Sequence, residues 1–318
     1  MHPALSVIFF TTLSGLGYGL LAWSGVAVLV GTSPRALLAA LLSGIALAIV
    51  GLLCSVGHLG KPLRAWRAFS QWRSSWLSRE GIVALATLVP AALLALVLLP
   101  RFVAVDVGPL ASTGTALAVA VGASLLLTLG ALATVYCTAM IYASLRPIPA
   151  WTHRSVPTVY LLFSLASGGI AFLALRAVFG GPPSRITLLV AIVGLGLIAL
   201  LKARYWSAID NTPLPVTRGD AVGLPQREVR VFERPHTEGN FVTREMVFVL
   251  ARKHASRLRG IALLAFATVP VLVLAATAFA PAAAAGLLIV ATLSVLLGAF
   301  VERWLFFAEA RHLVSQYY

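Results

Sequence analysis

The chain has 318 residues, 60% of them hydrophobic and only 11% charged, with 24 Lys and Arg against 10 Asp and Glu and a formal net charge of +14. Soluble domains carry about a quarter charged residues, so this composition excludes one and indicates an integral membrane protein. A basic excess can serve nucleic acid, an anionic lipid surface or the cytoplasmic loops of a polytopic protein; the apolar background selects the last and excludes nucleic acid.

Crossing about 30 Å of hydrocarbon takes roughly 20 apolar residues in a helix. Runs of that length predict eight spans, at about 4–30, 35–58, 80–100, 111–145, 155–179, 186–206, 260–280 and 282–308. The expected fold is all-α, a polytopic bundle of eight transmembrane helices forming a single domain over 1–318. The first run follows Met1-His2-Pro3 with no basic residue before it, and it exceeds a signal-peptide core, so it is expected to be retained. Gly15 and Gly19 within it, Gly168-Gly169 in the fifth run and Gly194 and Gly196 in the sixth read as close-packing signals. Cys54 and Cys137 both lie in apolar runs, with no Cys-x-x-Cys pair, so neither a disulfide framework nor an iron–sulfur or zinc site is expected.

An even number of spans puts both termini on one side. That side carries 20 Lys and Arg and the other four, Arg35, Arg101, Arg176 and Arg185, so the positive-inside rule predicts cytoplasmic termini. The hydrophilic stretch at about 203–258 contains Pro213, Pro215, Pro225 and Pro235 and interleaves acids with bases. It reads as a long cytoplasmic loop, either solvated or laid as an extended strip on a partner.

Between the second and third spans, Leu63, Trp66, Phe69, Trp72, Trp76 and Leu77 share one half of a helical wheel with Arg64 and Arg67 opposite and Arg73 as an exception, which predicts an interfacial helix. Lys61, Arg67, Arg73 and Arg79 are candidates for docking a partner or for binding membrane lipid. His58 ends the second span and Glu80 opens the third, so both stand at one level at the edge of the hydrocarbon. A His and a carboxyl group there suit a quinone site, one hydrogen-bonding a quinone oxygen and either exchanging protons. Position alone favours helix-end capping by His58 and an acid at a helix N-terminus in Glu80.

All six histidines fall at or beyond the expected cytoplasmic helix ends, which argues against haem held across the bilayer. No ionisable residue is expected at mid-depth, which demotes an ion-coupled transporter. Glu302, Glu309, Arg303 and His312 near the C-terminus read as helix-end ion pairing, with a second proton-handling group as the alternative.

The HLGKPLRA run at 58–65, the WLSREG run into the third span, the eight spans and the closing ERWLFFAEARH together resemble the membrane anchor subunit of the dimethyl sulfoxide reductase family, over essentially the whole chain. The resemblance implies docking of a ferredoxin-like iron–sulfur subunit and a molybdopterin catalytic subunit, with electron exchange to ubiquinone or menaquinone and no haem, iron–sulfur cluster or other metal in this chain. It implies quinone binding at His58 and Glu80, with Arg64 of the same run beside them. The 203–258 loop is more similar to a subgroup, the membrane subunit of quinone-dependent sulfite dehydrogenase, which implies cytoplasmic sulfite oxidation at a bacterial inner membrane. An anchor of a sulfoxide-type reductase oxidising menaquinol, and a transporter, stand as alternatives.

Overall fold

The computed structural model describes residues 4–57, 59–102, 114–233 and 254–316. Eight helices are long and apolar enough to cross a membrane: α1 (Leu5–Val30), α2 (Pro34–Val56), α3 (Trp76–Phe102), α4 (Gly114–Ala143), α5 (Val156–Gly180), α6 (Arg185–Asn211), α7 (Ala255–Phe279) and α8 (Ala284–Ala308). No strand occurs among the described residues. Helices are the economical answer in hydrocarbon, because each satisfies its own backbone hydrogen bonds.

Local chemistry sets the ends. Gly31 stops α1 in a left-handed conformation at φ 73°, its N–H donating to the Ala27 carbonyl, while Pro34 in the first turn of α2 gives up a hydrogen bond it would not have made. The Ser184 hydroxyl caps α6 by accepting from the Thr187 N–H at 3.2 Å. Within α7, Leu264–Thr268 widens to a π-helical turn just ahead of Pro270, whose missing N–H breaks the regular ladder. The Ser294 hydroxyl of α8 donates to the Ala265 carbonyl at 2.7 Å in that turn, and Gly298 brings the α8 backbone against Phe266.

α1 is the centre of the bundle, packed on α2, α4, α5 and α8, and with α5 it is the most buried of the spans; α6 lies outside, against α5 and α7. At the α1–α5 crossing the helices touch backbone to backbone. A Cβ on Gly19 would strike the Ser164 carbonyl, one on Gly168 would reach Gly19 Cα at 2.7 Å, and the Ser164 hydroxyl donates to the Gly15 carbonyl at 2.6 Å.

The structure bears on three expectations. The segment between α2 and α3 is a 3₁₀ helix at Pro62–Gln71, and Trp76 and Leu77 belong to α3. A three-residue period puts Leu63, Trp66 and Phe69 in one row and Arg64 and Arg67 in another, and Trp72 and Arg73 continue the two rows by spacing. Leu63 is 92% exposed and Trp66 66%, so the aromatic row lies open to lipid or a partner. Secondly, α2 ends at Val56, and His58 lies outside the described residues. Thirdly, α6 runs on to Asn211 and α7 starts at Ala255, so Lys202, Arg204, Arg257 and Arg259 sit in helices and the hydrophilic segment is shorter than 203–258. In that segment one helical turn at Arg218–Ala221 is closed by a Thr217–Asp220 capping box, whose hydrogen bonds hold the exposed Asp220 carboxyl below the usual carboxylate range.

Candidate functional site

Glu80 stands in the second turn of α3, where the chain has just turned back from the 3₁₀ segment. Ser78 fastens that turn by donating to the Ala68 carbonyl, and Phe69 lies over Gly81, where an added Cβ would come within 2.9 Å of its ring. The Arg79 guanidinium donates to the carbonyls of Trp72 and Arg73 at 2.9 and 2.6 Å and lies 4.4 Å from the Trp76 ring centre. Glu80 is left 4% exposed, and its Oε1 has no hydrogen-bond partner. Its carboxyl group meets the Thr138 hydroxyl of α4, which also donates to the Thr134 carbonyl at 3.0 Å. Tyr18 of α1 closes the third side, its hydroxyl donating to the Ala84 carbonyl one turn along α3 at 3.3 Å. A buried carboxyl oxygen without a partner costs about 1–3 kcal/mol or more.

Of the other sequence candidates, Lys61, Arg64, Arg67 and Arg73 are exposed and Arg79 is half-buried. Among the described residues no ion pair joins Arg64 to Glu80.

A second polar cluster, largely invisible in the sequence, lies at the same end of the bundle. Lys202 of α6 and Glu302 of α8 are 1% and 0% exposed, with Nζ 2.6 Å from Oε1, and Arg303 Nε stands 3.4 Å from Oε2. Lys202 and Glu302 thus form a close ion pair shut off from solvent. Aromatic faces surround the cations: Arg303 is 3.6 Å from the Tyr160 ring centre, and Lys202 is 4.2 Å from that of Tyr205 and 4.7 Å from that of Trp206. Trp151 locks this floor by donating to the Phe306 carbonyl at 2.9 Å. Sequence reasoning counts Lys202 among the loop cations, because a Lys ending an apolar run resembles a membrane boundary. Only its partner, 100 residues on, shows otherwise.

Nearer the surface, Arg259 of α7 grips Asp210 at the end of α6 through two bonds of 2.5 and 3.0 Å and Glu309 just past α8 through two more of 3.0 Å. A cleft of about 230 Å³ opens there, lined by His153, Asp210, Arg259 and Glu309 among others. Burial pushes the Glu309 carboxyl above its usual range, against the pull of Arg259, and holds the His312 imidazole below its own.

A family model described as DMSO reductase anchor subunit (DmsC) matches residues 1–308. The chain belongs to this anchor family. A sulfite dehydrogenase subunit from Allochromatium vinosum is 34% identical over an alignment of 337 positions that covers 100% of this chain and 99% of that protein. Membership makes the chain a multi-pass membrane anchor subunit of a DMSO reductase-type oxidoreductase complex, with catalytic and other subunits as its partners. An anchor of this kind needs a surface for its partners and a group that reaches into the lipid phase. The exposed basic row and the buried carboxyl group of Glu80 lie side by side at one end of the bundle.

Proposed function

We propose that the chain holds a ferredoxin-like iron–sulfur subunit and a molybdopterin catalytic subunit on the cytoplasmic face of a bacterial inner membrane and exchanges their electrons with membrane quinone at Glu80. The observation that carries this reading is the buried, unpartnered Oε1 of Glu80 at the hydrocarbon edge, between the Tyr18 and Thr138 hydroxyls. That set suits a quinone oxygen, since a carboxyl group can donate to it and give it a proton. The cavity beyond Thr138, about 20 Å³, takes water and not a ring.

When bound, quinone accepts two electrons with two protons and leaves as quinol. This chain orients the oxygen through Glu80, with His58 as its expected partner, and keeps bulk water away by closing the α1, α3 and α4 contacts around the carboxyl group. The exposed row of Lys61, Arg64, Arg67 and Arg73 draws in an acidic face of the iron–sulfur subunit. The 20-to-4 distribution of Lys and Arg supports placing this end in the cytoplasm. The Allochromatium relative, named for sulfite dehydrogenase, supports sulfite as the electron source. The family description supports a second reading, in which the same site oxidises quinol for a reductase.

The test is purification of the intact assembly through a tag on this chain, with identification of co-purifying subunits and metals. Sulfite-dependent quinone reduction is then assayed in wild type and Glu80→Gln. Molybdenum and iron–sulfur partners are expected, with activity lost in the variant; a metal-free chain purifying alone refutes the reading.

A further inference from the structure

The Lys202–Glu302–Arg303 cluster has no part in the scheme above, yet burying two cations with one acid is expensive for a membrane bundle. With all three ionised, the triad carries one proton beyond neutrality. Its surroundings extend in two directions. Inward, the Tyr160 hydroxyl and Arg303 Nη1 are buried with no hydrogen-bond partner, and both residues line the 20 Å³ cavity together with Thr11, Ser14, Tyr18 and Thr138. About 10–15 Å³ suffices for one water, and unpaired buried polar atoms are where ordered waters bind. The far wall of that cavity, Tyr18 and Thr138, is the wall of the Glu80 site. Outward, Lys202 lies over the ring of Tyr205, whose hydroxyl donates to the Ala150 carbonyl at 3.0 Å. Ala150 lines the 230 Å³ cleft, where Asp210 is 53% exposed.

We propose that Glu302 and Lys202, with water held in the small cavity, relay protons between the aqueous cleft at Asp210, Arg259 and Glu309 and the carboxyl group of Glu80. The proposal rests on the quinone reading of Glu80 and adds the source of its protons. In quinone reduction, two electrons arrive from the iron–sulfur partner and two protons must come from water. Each proton passes from the Lys202–Glu302 pair through the cavity to Glu80 as Glu80 gives up its own, and the pair is reloaded from the cleft. Only O–H and N–H bonds are made and broken, and the charge of the relay is restored after each transfer. Arg303 supplies a fixed positive charge beside the pair. The groups facing the pair are Tyr205 from α6, Tyr160 from α5, Arg303 beside Glu302 on α8 and Glu309 just past α8; Tyr142 of α4 stacks on Tyr160, Arg259 of α7 holds Glu309, and His153 meets Tyr205.

The test uses the intact complex in wild type, Glu302→Gln, Tyr160→Phe and Glu80→Gln. It follows quinone turnover, proton uptake with a pH indicator, and binding of a fluorescent quinone-analogue inhibitor. Tyr160→Phe keeps the ring under Arg303, removes only a hydroxyl that lines the cavity, and serves even where Glu302→Gln, which strands Lys202, fails to assemble. Both relay variants are expected to lose at least about tenfold in kcat and in proton-uptake rate, while inhibitor Kd stays within about twofold. Wild-type kcat in either variant, with Glu80→Gln inactive, overturns the relay and leaves the quinone site standing. Loss of inhibitor binding in the relay variants overturns it as well, by making those residues structural. Full turnover and inhibitor binding in Glu80→Gln overturn the quinone reading itself.

Discussion

Gly168→Ala tests how tightly α1 and α5 cross. The new Cβ would lie 2.7 Å from Gly19 Cα and closer still to the backbone atoms on either side of the Gly19–Leu20 peptide bond. Carbon atoms rest at about 3.5–4.0 Å, so the helices must part by roughly 0.8 Å or more. No flexible side chain is there to yield, because the obstacle is backbone. Overpacking of this kind costs about 1–3 kcal/mol, offset by up to about 1 kcal/mol from replacing glycine inside a helix. Parting the helices would also stretch the 2.6 Å bond from Ser164 to the Gly15 carbonyl. Gly196 is the control, since a Cβ there meets nothing within 4 Å and only the helix-propensity gain remains. In detergent, thermal unfolding of the purified chain should show Gly168→Ala lowered on the order of 2 °C per kcal/mol and Gly196→Ala unchanged or raised. Equal midpoints for the two variants would refute the backbone contact.

Two further outcomes follow from the polar end of the bundle. Removing one partner of the Lys202–Glu302 pair should destabilise by about 3–5 kcal/mol, while Lys202→Met with Glu302→Gln should cost well under the sum; a double-mutant cycle on unfolding midpoints measures the coupling, and additive costs would deny the contact. Burial and the neighbouring Arg154 hold the His153 imidazole below its ordinary pKa, so the native state prefers it neutral. Its contribution is present above the unfolded value of about 6.5 and is lost as pH falls through the lower folded value. The unfolding midpoint should therefore drop between pH 7.5 and 5.5. His312, shifted the same way by burial, acts in the same window, so His153→Gln should flatten part of the slope and His153→Gln with His312→Gln more of it. An undiminished slope in the double variant would sink the assignment.

Eight spans and their approximate limits were legible because hydropathy is a local property, and a 20-residue apolar run has few alternatives to a membrane helix. Glu80 was legible as a candidate for the same reason, as an acid at the edge of such a run. The 3₁₀ form of Pro62–Gln71 was less so, since rows of three and an α-helical wheel share most of their residues. The glycines show the limit more sharply. Gly19, Gly168, Gly194 and Gly196 look alike in sequence, yet only the first two lie where backbones cross.

Composition, span count and family motifs therefore came from the sequence by itself, through the free energy of moving residues into hydrocarbon one segment at a time. Which buried charges meet was decided only by tertiary structure. Lys202 ends one apolar run and Glu302 lies near the end of another, and each alone reads as a boundary residue. Their 2.6 Å separation depends on how α6 and α8 settle around α5, which is a matter of side-chain packing among helices far apart in sequence.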